Sequence, residues 1–359
     1  MIPKTRRYKK GASETWSALI LFVFLLGGFF FIYHTVQNSP SSPTDAQKSK
    51  ITVEENIKFT SGDSAKSSSK IKYSNLHGLP LSFSLEYEIP LAVVIENYNP
   101  IRLQQKGLEQ ASIVYETLAE GGITRFLAIF NGASVSTIGP VRSARPYFID
   151  WAEEYHASLT HVGGSETALS NLYNNRTILD IDEVAENTVV WRDSAYSPPH
   201  NAYTSTAGIV EMMKKEGYQV RLTQPRFIFK DPDPISGNIP TITISFSLPQ
   251  YDVKYVYDPL DHHYSRYNGD ILHSYIKPSN ILIQFTSQHF LDEEGRLNIQ
   301  TTGTGKSLVF RDGNVIEGFW EKQEGGITRF YDESGKEIPL NRGQTWIEVV
   351  PTDGIVNYF

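Results

Sequence analysis

The side chains able to do acid–base, nucleophilic or ligand-holding chemistry gather between positions 96 and 201 of a 359-residue chain. They are Glu96-Asn97, Glu116, Glu120-Gly-Gly122, Arg125, the run Gly139-Pro-Val-Arg-Ser-Ala-Arg145, then His161-Val-Gly-Gly-Ser165-Glu166, Arg192-Asp193 and Pro198-Pro-His-Asn201. Arg142 and Arg145 are three apart, so at a helix start they would share a face. With the backbone N–H groups there they would suit a phosphate or carboxylate. The alternative is that they form structural ion pairs with Glu116, Glu120 or Asp150, a use of arginine just as common. His161 and His200 could each serve as a general base or metal ligand, or stand as hydrogen-bonded structural histidines. No HExxH-like spacing accompanies them, so neither a metal nor another cofactor is expected. Glu116 and Glu120 could form the carboxyl pair of a glycosidase, although a strand over 113–118 would leave their separation unfixed by spacing. Ser165 lacks the G-x-S-x-G elbow of a serine hydrolase. Gly303-Thr-Gly-Lys-Ser307 resembles the end of a phosphate-binding loop, but the first glycine of that motif would fall at Gln300, and no helix follows. The expected ligand-binding set is therefore Glu96, Asn97, Glu120, Arg125, Arg142, Arg145, His161, Ser165, His200 and Asn201. The candidates for catalysis are Glu116, Glu120, His161 and His200.

The elements that must position these groups alternate between strand and helix. Leu91–Ile95, Ile113–Leu118 and Arg125–Phe130 are short apolar runs that read as strands. Arg145–Leu159 has helical spacing, with Phe148, Trp151, Ala152 and Tyr155 on one face. Leu159–Val162 reads as a strand ending in Gly163-Gly164, and Ser165 then caps a helix to Tyr173. Thr204 or Ser205 caps a helix through Lys215, closed by Gly217. That rhythm predicts an α/β domain over 75–225. Groups at strand ends converge on one crevice in such a fold, so Arg142, Arg145, Glu120, His161 and His200 are expected to share one. From 226 to 359 the pattern changes to period-two strands with hairpin turns at Asp312-Gly-Asn314 and Ser334-Gly-Lys336, which predicts a mainly antiparallel β domain. The heptapeptide Glu120-Gly-Gly-Ile-Thr-Arg-Phe126 recurs at Glu324–Phe330 with unrelated flanks. It reads as two similar turns into strands rather than a duplicated domain.

The amino terminus carries Lys4, Arg6, Arg7, Lys9 and Lys10, followed by eighteen residues, Trp16 to Tyr33, without charge. Such a run spans about 27 Å as a helix, close to the hydrocarbon thickness of a bilayer. Trp16 and Tyr33 bracket it at the interfaces, and the basic residues hold that end inside. We expect a cytoplasmic tail over 1–15, a single transmembrane helix over 16–36 and extracytoplasmic folded domains. His34–Asn38 offers no good small-x-small site, which favours an uncleaved anchor over a cleaved signal peptide. Residues 37–74, rich in Ser, Pro and Lys, read as a flexible linker. The chain has no cysteine, which excludes disulfides, thiol nucleophiles and a lipid-modified cysteine. Taking the five bases and one acid of the first fifteen residues from the totals of 33 and 40 leaves a body with eleven more acids than bases. Nucleic acid is therefore not an expected partner.

Val93-Val-Ile-Glu-Asn97, Ala111–Phe126, Ile138-Gly-Pro-Val-Arg-Ser-Ala-Arg-Pro146, His161-Val-Gly-Gly-Ser165 and Pro199-His-Asn201 together resemble the YerB-like lipoprotein family, domain of unknown function 3048. Tyr264–Gly269, Gly303–Lys306, Gly318-Phe-Trp320 and Leu340–Trp346 resemble its C-terminal domain. The resemblance covers about 90–359 and implies a two-domain extracytoplasmic protein of Gram-positive-type bacteria. It implies no mechanism. The missing lipobox cysteine departs from the family pattern and leaves attachment to the transmembrane helix. Three functions follow as expectations: an envelope protein binding a cell-wall ligand or envelope partner through a Glu/Arg/His crevice; an enzyme on cell-wall polymer; or a structural scaffold without ligand. A faint similarity of rhythm to the LytR-CpsA-Psr ligases supports the second, but Ser143 follows Arg142 where those enzymes carry an Arg-Asp pair.

Overall fold

The computed structural model describes residues 72–81, 89–174, 177–184, 189–218, 227–234 and 237–359. The expected tail, the anchor at 16–36 and nearly all of the linker lie outside the described residues. Among the described residues no helix is long and apolar enough to cross a membrane. The first part of the chain supplies strands β1 (Leu91–Glu96), β2 (Ile113–Leu118), β3 (Thr124–Phe130), β4 (Ser158–His161), β5 (Asp180–Asp182), β6 (Trp191–Arg192) and β7 (Ala202–Tyr203). Its helices are α1 (Pro146–Glu154), α2 (Glu166–Asn174) and α3 (Thr206–Lys215). The second part supplies β8 (Phe229–Lys230), β9 (Thr241–Ser245), β10 (Val253–Asp258), β11 (His263–Asn268), β12 (Ile271–His273), β13 (Asn280–Thr286), β14 (Gln288–Phe290) and β15 (Leu297–Ile299). It ends with β16 (Gly303–Arg311), β17 (Asn314–Lys322), β18 (Arg329–Asp332), β19 (Leu340–Asn341), β20 (Thr345–Pro351) and β21 (Ile355–Tyr358).

Ten strands form one sheet in the order β18-β17-β16-β13-β20-β2-β3-β1-β4-β5, and five form a second, β12-β11-β10-β9-β21. The expected α/β character of the first part is only partial. β1 and β2 both pair antiparallel with β3, and parallel pairing is confined there to β1/β4 and β4/β5. The molecule is mostly β with a few helices of nine or ten residues. The five-stranded sheet is antiparallel throughout, as expected. β20, however, runs parallel to both its neighbours, β13 and β2. That strand joins the two segments in space. The border expected at 225 falls between the two sequence segments, and strands of both contribute to the ten-stranded sheet.

The central strands are buried on both faces, which is why they read as continuous apolar runs. Val93, Ile95, Val114, Phe126, Ile281, Phe310 and Trp346 face the five-stranded sheet and α3. Ala92, Val94, Tyr115, Leu127, Leu282 and Val349 face α1 and α2. α1 contributes Tyr147, Phe148 and Trp151 to that layer, and Tyr115 stacks on Trp151 with ring centres 4.7 Å apart. Both copies of the repeated heptapeptide enter a strand, β3 and β18, through a glycine of positive φ, Gly121 and Gly325. In each, the threonine hydroxyl donates to a buried carboxylate: Thr124 to Glu116 at 2.6 Å and Thr328 to Glu154 at 2.9 Å.

Candidate functional site: an arginine crevice beside a sealed polar core

Glu96 ends β1, Arg125 is the second residue of β3 beside it, and the two are paired in register. The segment 138–144 then runs extended along the same end of the sheet. The Glu96 N–H donates to Pro140 O at 3.0 Å, Arg142 N–H to Val94 O at 2.9 Å, and Val141 N–H to Ala202 O at 2.7 Å. Glycine is required at 139, where φ is 147° and a Cβ would lie 2.7 Å from the Ala202 carbonyl oxygen. Arg142 precedes α1, and Arg145 is its N-cap residue in extended conformation. The two arginines therefore do not share a helical face, as spacing alone had suggested. The extended backbone delivers them instead, each to a different carboxylate.

Arg142 Nε lies 3.3 Å from Glu96 Oε1, and His200 Nδ1 lies 3.0 and 2.9 Å from the two Glu96 oxygens. Tyr98 stacks on the His200 ring at 5.3 Å. Arg145 Nε donates to Glu120 Oε1, and Arg125 Nη2 lies 3.6 Å from Glu120 Oε2. Three guanidiniums thus stand among two carboxylates. Burial pushes Arg125 down to about 10, helped by the positive charges of Arg145 and Arg142. Burial alone would raise Glu120, but the hydrogen bond from Arg145 and the charges of Arg125 and Arg145 hold it below the ordinary carboxylate value. The site is partly open: the side chains of Arg125, Arg145 and Arg142 retain 10%, 14% and 23% of their surface. An added anion would meet cationic groups already desolvated and already oriented, which strengthens each contact.

The five remaining candidates serve elsewhere. Glu116 and Asn97 belong to a network sealed between the two sheets. Glu116 accepts from Thr124, from Asn97 Nδ2 at 3.2 Å and from Arg266 Nη2 of β11. Asn97 Nδ2 also donates to Asn268 Oδ1 at 2.7 Å, and its Oδ1 accepts from Arg102 Nε at 3.0 Å. Arg266 lies over the Trp346 ring at 4.3 Å. Glu348 is the register partner of Glu116 on β20 and accepts from Tyr255. Burial, then the negative charge of Glu116, pushes the Glu348 carboxyl well above its usual range, so it is held neutral. Glu116 and Glu348 are both fully buried. An acid/base pair of Glu116 with Glu120 is therefore not available: a substrate cannot reach Glu116, and the two carboxylates are held by different arginines.

His161 is fully buried, and both its ring nitrogens face acceptors: Nε2 lies 2.7 Å from Asp180 Oδ1 and Nδ1 lies 2.7 Å from Gly163 O. A neutral ring has one N–H and cannot serve both. Burial opposes the charged form, but Asp180 and Asp182 outweigh it and raise the pKa. The ring ties β4 to β5 instead of joining the crevice. Ser165 is a cap, its Oγ accepting from Ala168 N–H at 3.3 Å. Asn201 braces its loop, donating to Asp193 O at 3.2 Å and accepting from Arg192 Nη1 at 3.1 Å.

Two descriptions match the sequence in succession. Residues 76–219 match the N-terminal domain, and residues 242–347 the C-terminal domain, of "Protein of unknown function (DUF3048)". The chain is 34% identical over 289 residues to "Putative lipoprotein YerB" of Bacillus subtilis (strain 168), covering 77% of this chain and 85% of the relative. The chain belongs to the DUF3048, YerB-like family. A crystal structure of the Bacillus subtilis YerB protein superimposes with a TM-score of 0.71 at 31% identity, over 80% of this chain and 99% of that one. The resemblance read from the motifs is thus shown, and the family's two segments are those that share the ten-stranded sheet.

Arg266, Glu348, Arg102 and Asn268 escaped the sequence reading. Each sits in a strand or turn of ordinary pattern, and nothing local marks it as the partner of a group more than a hundred residues away. The signal available was weak: an arginine at an inward position of the period-two strand β11 and a glutamate inside the continuous buried run of β20.

Proposed function

We propose that this chain is an extracytoplasmic protein of the bacterial cell envelope that binds an anionic cell-wall component in the crevice of Arg125, Arg142 and Arg145. The observation that carries this reading is the surplus of guanidinium over carboxylate at a partly open site, in a body with eleven more acids than bases. A basic pocket in an acidic body concentrates small anions while repelling polyanions at large. Glu96, Glu120 and His200 hold the arginines in place before a ligand arrives, which lowers the ordering cost of binding. The name of the Bacillus relative supports an extracytoplasmic setting. This chain has no cysteine to carry a lipid, so its attachment falls to the apolar run at 16–36.

The test is thermal melting of the full-length chain in detergent with purified muropeptides and with a polyprenyl pyrophosphate analogue, each with and without Mg²⁺. Wild type should gain stability with one of these anions. Arg142→Gln should weaken that ligand about 10- to 100-fold, the worth of one charge-assisted hydrogen bond, while melting near wild type without ligand. Dependence on both pyrophosphate and Mg²⁺ would favour a ligase-like enzyme. A variant that merely melts lower, with no ligand effect in either protein, would leave the arginines a structural role.

A further inference from the structure

A second site lies apart from the arginine crevice, where the two family segments meet. The segment from Arg102 to Gln110, residues 135–137 and the stretch from Ile271 to Ile276 enclose a cleft of about 520 Å³. That volume is in the range of small-ligand sites. Three features specify what would fill it.

The first is a donor without an acceptor. Arg266 Nη1 lies 3.3 Å from His273 Nδ1, and a guanidinium can only donate, so Nδ1 accepts. Burial, with the charges of Arg266 and Arg102, lowers His273 to about 2, so the ring is neutral. Its one proton then sits on Nε2. That nitrogen is buried and has no hydrogen-bond partner among the described residues. An N–H whose tautomer is fixed from behind, on a residue lining a cleft, asks for a carbonyl or carboxylate oxygen.

The second is a strand edge. Among the described residues β12 pairs only with β11, at the end of its sheet. The hairpin between them has two loop residues, opened by Gly269 with φ 58°. Its closing pair, Asn268 and Ile271, exchanges both backbone hydrogen bonds. The next pair, Tyr267 and Leu272, does not, so the Leu272 N–H and C=O point away from β11, along the open edge.

The third is the chemistry of the rim. Leu103 and Tyr275 are each 82% exposed and Leu272 is 46% exposed. Lys106 is exposed and makes no ion pair among the described residues. Arg102 adds a second positive charge at the floor, against the single carboxylate of Glu109.

We infer that this cleft binds a short extended peptide bearing a carboxylate. The peptide backbone pairs with Leu272, a peptide carbonyl accepts from His273 Nε2–H, an apolar side chain packs on Leu103 and Tyr275, and the carboxylate lies near Lys106. Strand addition of this kind takes affinity from main-chain hydrogen bonds and selectivity from flanking side chains.

The experiment is isothermal titration of the full-length chain in detergent with Val-Ala-Ala as the free acid and as its C-terminal amide. The free acid should bind, and the amide should bind at least tenfold more weakly. Lys106→Gln should abolish that difference. His273→Phe should weaken the acid at least tenfold, whereas His273→Gln, which can accept from Arg266 and still donate into the cleft, should retain most of the affinity. Arg142→Gln, in the other crevice, should bind the tripeptide as wild type does, which separates failure of this site from failure of the anion site. No saturable heat with either peptide, or equal affinity in wild type and His273→Phe, overturns the inference.

Discussion

At the scale of single residues, the same side-chain types serve opposite ends according to burial. Arg125, Arg142 and Arg145 keep part of their surface and stand ready for an anion, while Arg266 is sealed between Glu116, Tyr255 and the Trp346 ring. Removing one partner of a buried pair leaves the other charged and unsolvated. Arg266→Met should therefore cost about 3–5 kcal/mol, read from chemical unfolding. Glu348→Gln should behave differently, because that carboxyl is already neutral in the fold. Its loss should change stability by about 1 kcal/mol or less below pH 4.5, where the acid is protonated folded and unfolded, and should become less costly or stabilising as pH rises. Its raised pKa works against folding as pH rises: the neutral acid is fully compatible with the fold below the unfolded value of 4.5, and that advantage is lost as pH climbs through the raised folded value. The glutamine variant should accordingly have a flatter stability profile above pH 4.5. Two destabilised variants of equal magnitude would contradict a neutral Glu348.

At the scale of elements, the outer end of the large sheet is held by polar locks where its apolar runs give out. β5 is three residues long and only Ile181 of it is buried, so packing alone gives little hold. His161 on β4 supplies the rest by bonding Asp180 across the pair. Its folded pKa is raised above the unfolded 6.5. The stabilisation is then fully present below about pH 6.5 and lost as pH rises through the folded value. The difference in stability between wild type and His161→Gln should be about 1 kcal/mol at pH 5.5, allowing for solvent at Asp180, and should shrink as the solution is made alkaline. A difference that grows with pH would show that the ring is neutral in the fold. The repeated heptapeptide belongs to this scale too. Its glycine turn, threonine and buried phenylalanine solve one local problem twice: entering a strand while offering a hydroxyl to a buried carboxylate.

At the scale of the whole molecule, β20 decides the architecture. It lies between β13 and β2, and without it β2 would present an open edge of five buried residues, Ile113 to Thr117. Such an edge is a template for association. Residues 75–225 expressed alone should therefore fail to give a folded monomer, and should be recovered in folded form when coexpressed with 226–359. Gel filtration and far-ultraviolet circular dichroism of the separate and joint products check this. A monomeric, cooperatively melting 75–225 fragment would show that this segment folds without β20.

The local parts of this protein were legible in the sequence. The strand over 113–118, the Ser165 and Ser205 caps, and the turns at Asp312-Gly-Asn314 and Ser334-Gly-Lys336 are found where they were expected. So is the family itself. Of the five groups expected to share a crevice, Glu120, Arg142, Arg145 and His200 lie at one end of the sheet with Glu96 and Arg125, while His161 does not. Periodicity, capping and turn chemistry act over a few residues, and a few residues of sequence carry them. Tertiary structure alone decided that His161 is a lock, that Glu116 and Asn97 are sealed, and that two sequence segments make one sheet. Those outcomes depend on which strand lies beside which, and on partners far apart in sequence, such as Glu348 beside Glu116. Side-chain pattern fixes the faces of a strand, but its neighbours are selected by packing of the whole chain.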